Sequence, residues 1–129
     1  MAQPKPPHLW LRIVVPDLGA IGPGKIDLLR AIDKVQSISA AARQLGMSYR
    51  RAWMLLDDTR HVLGAEVVET HAGGADRGGA TLTLLGRRLI EGYDRICAAA
   101  NKAAAAEMRA LLAVPKQQPA PRRKRRLPA

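Results

Sequence analysis

The chain has 129 residues, 21 Lys and Arg against 11 Asp and Glu, 47% hydrophobic residues and only 3% aromatics, with no Phe. That length suits one compact domain without a second effector domain, and a core lacking Phe must be built from Leu, Ile, Val and Ala, which favours helices. Residues 1–114 hold 15 Lys and Arg against 11 acids while residues 115–129 hold 6 and none, so a basic tail carries most of the excess and a polyanion is the partner class it points to.

Residues 1–8, MAQPKPPH, are polar and proline-rich and predict a flexible leader. LWLRIVV at 9–15 alternates, with Leu9, Leu11, Ile13 and Val15 on one side and Trp10, Arg12 and Val14 on the other, the period of a strand with one covered face. Such a strand requires a partner. Arg12 interrupts this apolar run and no other is long enough, so neither a signal peptide nor a membrane span is expected, and the protein should be soluble and cytoplasmic. PDLGAIGPG at 16–24 is turn chemistry, and Pro23 suits the first turn of a helix that runs to about Val35 on Ile26, Leu29 and Ile32.

SISAAARQLG at 37–46 opens on a serine able to cap free amides and closes on a glycine able to turn left-handed. It predicts a short helix, a tight turn at Gly46 and Met47, and a new cap at Ser48. From Tyr49 onward Ala52, Leu55, Leu56, Thr59, Val62 and Leu63 gather on one side of a helix, opposite Arg50, Met54, Asp57, Asp58 and His61, with Arg51 at the margin. EVVETH at 66–71 and GATLT at 79–83 predict a hairpin whose glycine-rich tip, residues 72–78, carries Arg77. Thr83 can cap a helix over 84–113, ~45 Å long at ~1.5 Å per residue. Leu89, Tyr93, Ile96, Ala100 and Ala103 recur along it at alternating spacings of four and three, a seam for a partner helix. PKQQPAPRRKRRLPA at 115–129 has little to bury and reads as a disordered basic tail.

The segment 37–63 is a helix-turn-helix candidate, with Ala42 and Ala52 small where two helices cross and Gly46 permitting the turn. An ordinary helical hairpin has the same spacing. Arg50 and Arg51 decide between the two, because they occupy the first turn, where the helix dipole is positive, while Asp57 and Asp58 lie farther along. Local stability disfavours that order. It makes sense if the helix enters a DNA major groove by its amino end, with the arginines on phosphates or guanine edges and the hydroxyls of Ser48 and Tyr49 beside them. Core packing is the competing role for Tyr49 and the preferred one for Trp53.

The hairpin tip lacks the spacing of a phosphate-binding P-loop and reads better as a DNA-contacting wing. GPGK at 22–25 is taken as a helix start. His8, His61, His71 and Cys97 show no metal-ligand spacing, and no nucleophile-base pattern is present, so neither an enzyme nor a cofactor is expected. The RRKRR run at 122–126 would tether DNA without sequence preference.

In order, GPGKIDLLRAID, SISAAARQLGMSYRRAW and VVETHAGGADRGGATLTLLGRRL resemble the DNA-binding domain of the ModE family of molybdate-responsive transcriptional regulators. The resemblance covers roughly residues 9–96 and implies a winged helix with a LysR-type helix-turn-helix, dimeric through its amino-terminal domain, regulating molybdenum uptake and use. It implies DNA contacts by Ser48, Tyr49, Arg50 and Arg51 in the recognition helix, Ser37 and Ser39 at the preceding helix start, and Gly73, Gly74, Gly78 and Gly79 in the wing. Two departures stand out. No strand-rich segment follows residue 84, so the molybdate-binding modules of the family are not expected and molybdate binding is disfavoured, and Gln36 stands where the family usually has Gly.

Taken together, the expected architecture is a mostly α winged helix-turn-helix over 9–114, with an N-terminal strand, a short β-hairpin wing and a long C-terminal helix. It should form a homodimer through that helix, with the first strand as a second candidate, on an imperfect palindrome of double-stranded DNA whose half-sites lie ~34 Å apart or a multiple of that. The rival functions are a nucleoid-associated architectural protein of low specificity and a protein-protein adaptor on the same scaffold.

Overall fold

The computed structural model describes residues 5–72, 78–113 and 122–123. The elements in chain order are β1 (Ile13–Val15), β2 (Gly19–Ile21), α1 (Pro23–Val35), α2 (Ile38–Gln44), α3 (Tyr49–Leu63), β3 (Val68–His71), β4 (Gly79–Leu82) and α4 (Leu84–Leu112). Among the described residues, four helices and two antiparallel hairpins make a mostly α winged helix with a long C-terminal helix. The tail from 115 and the wing tip at 73–77 lie outside the described residues, apart from Arg122 and Arg123, which are in neither helix nor strand.

The first strand finds its partner inside the stretch expected to be turn. Ile13 pairs with Ile21 and Val15 with Gly19, and the turn proper shrinks to Pro16 and Asp17, closed by Leu18 N–H donating to the Val15 carbonyl at 3.0 Å. Asp17 takes φ 67, a left-handed conformation aspartate tolerates better than most residues. Residues 9–12 are not strand, because their polar groups go to α4 instead. Asn101 Oδ1 accepts from Leu9 N–H at 2.5 Å, Asn101 Nδ2 donates to the Leu9 carbonyl at 3.3 Å, and the Tyr93 hydroxyl donates to the Leu11 carbonyl at 2.6 Å. The alternation nevertheless survives: Ile13 and Val15 are half-buried, and Trp10 is 72% exposed.

Each helix of the central trio is bounded by the residues its sequence offers. Pro23 opens α1, and Gln36 closes it at φ 55 with its N–H on the Ile32 carbonyl. Ser37 caps α2 by accepting from Ala40 N–H at 3.1 Å. At the other end Met47 N–H reaches the Ala42 carbonyl and Gly46 N–H the Arg43 carbonyl, with Gly46 at φ 69, the two-bond arrangement that ends a helix and redirects the chain. Ser48 then accepts from Arg51 N–H at 3.1 Å to start α3. Ala41, Ala42 and Ala52 are buried with Leu28, Leu29, Ile32 and Leu56, so small residues let α2 approach both neighbours closely. Thr59 is also buried, its hydroxyl donating to the Leu55 carbonyl at 2.7 Å, which is how a polar residue joins the apolar side of α3 without an unmatched group.

The wing hairpin pairs Val68 with Leu82 and His71 with Gly79. Near its loop end it is fastened to the α1–α2 junction by Ala80 N–H on the Gln36 carbonyl, 3.0 Å. Thr83 leaves the strand to cap α4, accepting from Gly86 N–H at 3.1 Å while donating to the Glu66 carbonyl at 2.8 Å.

The seam expected along α4 is divided. Leu89 packs on the domain's own core and Tyr93, 5% exposed, joins Ile21 and Ile26 beneath β2, whereas Ile96 is 47% exposed, Ala103 is exposed and Ala100 half-buried. Heptad spacing alone could not separate the side that covers β2 and α1 from the side left to solvent. Surface ion pairs, Arg30 with Asp94 and Arg87 with Asp33, tie α1 to the first half of α4. Among the described residues no helix is long and apolar enough to cross a membrane.

Candidate nucleic-acid interface

The amino end of α3 projects a concentrated positive surface. Tyr49, Arg50 and Arg51 are all exposed there, directly after the Ser48 cap. Arg30, Arg60 and Arg87 each hold an aspartate, but among the described residues neither Arg50 nor Arg51 pairs with a carboxylate. Of the two acids farther along α3, Asp57 accepts from Arg60 at 2.8 Å, a hydrogen bond that raises the Arg60 guanidinium pKa, and Glu66 beyond the helix lies 3.7 Å from the same arginine. Within α3, therefore, the arginines without a carboxylate partner among the described residues lie at the helix start, and the Asp57–Arg60 pair lies two to three turns away.

The other expected contact residues divide by position. Ser37 and Ser39 stand at the start of α2 with their hydroxyl oxygens 3.5 Å apart, Ser37 also serving as the cap. Gly78 and Gly79 sit at the loop end of the β3–β4 hairpin. A side chain at Gly78 would place its Cβ 2.0 Å from the His71 carbonyl oxygen, so glycine there lets the two strands close, and one at Gly79 would come within 3.3 Å of the Gln36 carbonyl. Gly73, Gly74 and Arg77 lie outside the described residues.

Trp53 departs from the core role expected for it. It is 41% exposed, one turn after Tyr49 at 54%, and the two rings meet edge to face with centroids 6.1 Å apart. Ala52 and Leu56 fill the crossing beneath, which leaves Trp53 at its rim. Together with Ser37, Ser39 and Tyr49 it lines a cleft of about 300 Å³ that is closed on the far side by Thr70, His71 and the two wing glycines. Sequence reasoning did not single out Trp53, Thr70 or His71 as site residues; the available signal was the four-residue spacing of two aromatics at a helix start. Among the described residues no group of three His, Cys, Asp or Glu side chains could hold a metal ion.

No protein-family profile matches the chain. It is 42% identical over 91 residues to the molybdenum-pterin-binding protein MopB of Rhodobacter capsulatus, 70% of this chain and 34% of that one. It is 40% identical over 81 residues to the transcriptional regulator ModE of Yersinia pestis, covering 63% of this chain and 31% of the relative. The DNA-binding transcriptional dual regulator ModE of Escherichia coli K12 is 38% identical over the same length. The chain thus spans about a third of the length of the curated relatives it matches. By name these relatives are regulators and a molybdenum-pterin-binding protein rather than enzymes.

Proposed function

We propose that the chain binds double-stranded DNA sequence-specifically and regulates transcription in the bacterial cytoplasm, in a molybdenum-related setting like that named for its relatives. The carrying observation is the exposed pair Arg50 and Arg51, without a carboxylate partner among the described residues, at the amino end of a 15-residue helix whose dipole the two guanidinium groups oppose. A phosphate or guanine edge supplies the missing counter-group, and exposed Tyr49 and Ser48 stand beside it as hydroxyl donors. A wing hairpin follows in the position from which backbone can approach the adjacent groove.

In this proposal two copies associate through the solvent-facing side of α4, around Ile96 and Ala103, and read an imperfect palindrome. Leu89 and Tyr93 support that helix from the domain side. In the same proposal residues 1–129 bind DNA without themselves binding molybdate; calorimetric detection of low-micromolar molybdate binding by the purified chain would contradict this.

Selection of bound sites from a random duplex pool tests the specificity. A selected palindrome should be preferred over its scrambled version across a salt series, the total affinity falling with salt while the preference remains. Equal affinity for both duplexes at every salt concentration would favour an architectural DNA-binding protein instead.

A further inference from the structure

We infer that the cleft between the start of α2, the first two turns of α3 and the loop end of the β3–β4 hairpin seats the sugar-phosphate backbone of one strand of a bound duplex, with Trp53 as a contacting side chain. This rests on the DNA-binding role proposed above; to the contacts expected of Ser37, Ser39, Tyr49, Gly78 and Gly79 it adds Trp53 and the seating of one backbone strand between them.

The location follows from groove dimensions. A major groove is about 12 Å wide, so a helix inserted by its amino end has a backbone strand passing on either flank. On the wing side of α3 that flank is the cleft, directly beside Tyr49 and one turn from Arg50 and Arg51.

The lining chemistry suits this occupant. Ser37, Ser39, Tyr49 and Thr70 offer hydroxyls and Trp53 an indole N–H, all able to donate to phosphate oxygens, and no lining residue is acidic. The closest acid along the same row of α3, Asp57, is engaged by Arg60 at 2.8 Å. The Tyr49–Trp53 pair meanwhile presents apolar ring surface that the core leaves uncovered, and the C–H edges of deoxyribose can cover it. A donor-rich, acid-free cleft with an aromatic wall at the flank of a cationic helix end matches a polyanion whose repeating unit has an apolar sugar between its charges.

The test uses the full chain carrying Trp10→Phe, which leaves Trp53 as its single tryptophan, and a 30-base-pair duplex chosen from a random pool by the unmodified protein. On titration with duplex, Trp53 emission should change in parallel with binding, and acrylamide should quench the bound form less than the free form. Trp53→Ala should weaken affinity about tenfold, the scale of removing one interfacial aromatic anchor, while Trp53→Phe keeps most of it. Duplex binding that leaves Trp53 emission and acrylamide access unchanged would overturn the cleft assignment and leave DNA binding standing. Absence of duplex binding would overturn both. Emission that tracks protein concentration without DNA would give the cleft to a second copy of the chain, against this inference; should Trp53→Ala fail to fold, the Trp10→Phe readouts decide alone.

Discussion

Gly86, in the first turn of α4, passes so close to Val67 that a Cβ added there would lie 2.3 Å from the Val67 carbonyl oxygen. The same carbonyl accepts from Thr83 N–H at 3.0 Å, so it is pinned and cannot retreat. Gly86→Ala should therefore destabilise the domain by about 1–3 kcal/mol, the usual scale of overpacking, as read by urea denaturation. Gly24, with nothing within 4 Å of an added Cβ, is the control: Gly24→Ala should gain roughly 0.5–1 kcal/mol from helix propensity.

Gln36 occupies the left-handed region at φ 55 between α1 and α2. A side chain there costs about 1–2 kcal/mol relative to glycine, partly offset by the greater freedom glycine has in the unfolded chain. Gln36→Gly should accordingly raise stability by up to about 1 kcal/mol without changing the wing, because the hydrogen bond from Ala80 uses the Gln36 carbonyl and not its side chain. A thermal melt that moves downward would mean that the side chain contributes more than its backbone costs.

Much of this was legible in the sequence, and the reasons are local. Ser37, Ser48 and Thr83 announce three helix starts because a cap needs only a hydroxyl three residues ahead of a free amide, and all three accept as expected. Gly46 likewise marks its turn. What the sequence withheld depends on contacts between distant segments. β2 was hidden in a run of turn residues because Gly19–Ile21 is only three residues long and acquires its identity from pairing with β1. Residues 9–12 alternate like a strand yet give their backbone to Asn101 and Tyr93, 82 to 92 positions later. Trp53 was expected to pack inside, and its place at the rim follows from Ala52 and Leu56 already filling the crossing.

Tyr93 links the long helix to the N-terminal segment, its hydroxyl donating to the Leu11 carbonyl at 2.6 Å. Burial, reinforced by Cys97 beside it, pushes its phenol up to about 12. A group whose folded pKa is raised contributes its stability in full below the unfolded value of about 10 and loses it as pH climbs through the folded value. Stability should therefore decline between pH about 10 and about 12. Tyr93→Phe should cost about 1 kcal/mol at neutral pH through the lost bond to the Leu11 carbonyl and should flatten that alkaline decline, measured by denaturation across the pH range.

Ile96 faces solvent on the side of α4 assigned here to a second copy. Ile96→Glu should shift sedimentation from dimer to monomer while leaving the helical circular dichroism unchanged. A dimer that persists in Ile96→Glu and in Ala103→Glu would move the interface elsewhere.

The central claim is that Arg50 and Arg51 oppose their own helix dipole because DNA supplies the compensating charge. The most direct measurement is the affinity of the Arg50→Ala, Arg51→Ala double variant for a pool-selected duplex across a salt series, alongside its urea stability. The account predicts an affinity loss on the order of a hundredfold, a reduction of about 2 in the slope of log affinity against log salt, and fold stability unchanged or higher by a few tenths of a kcal/mol. A variant that keeps both the affinity and the slope of the unmodified chain would contradict it.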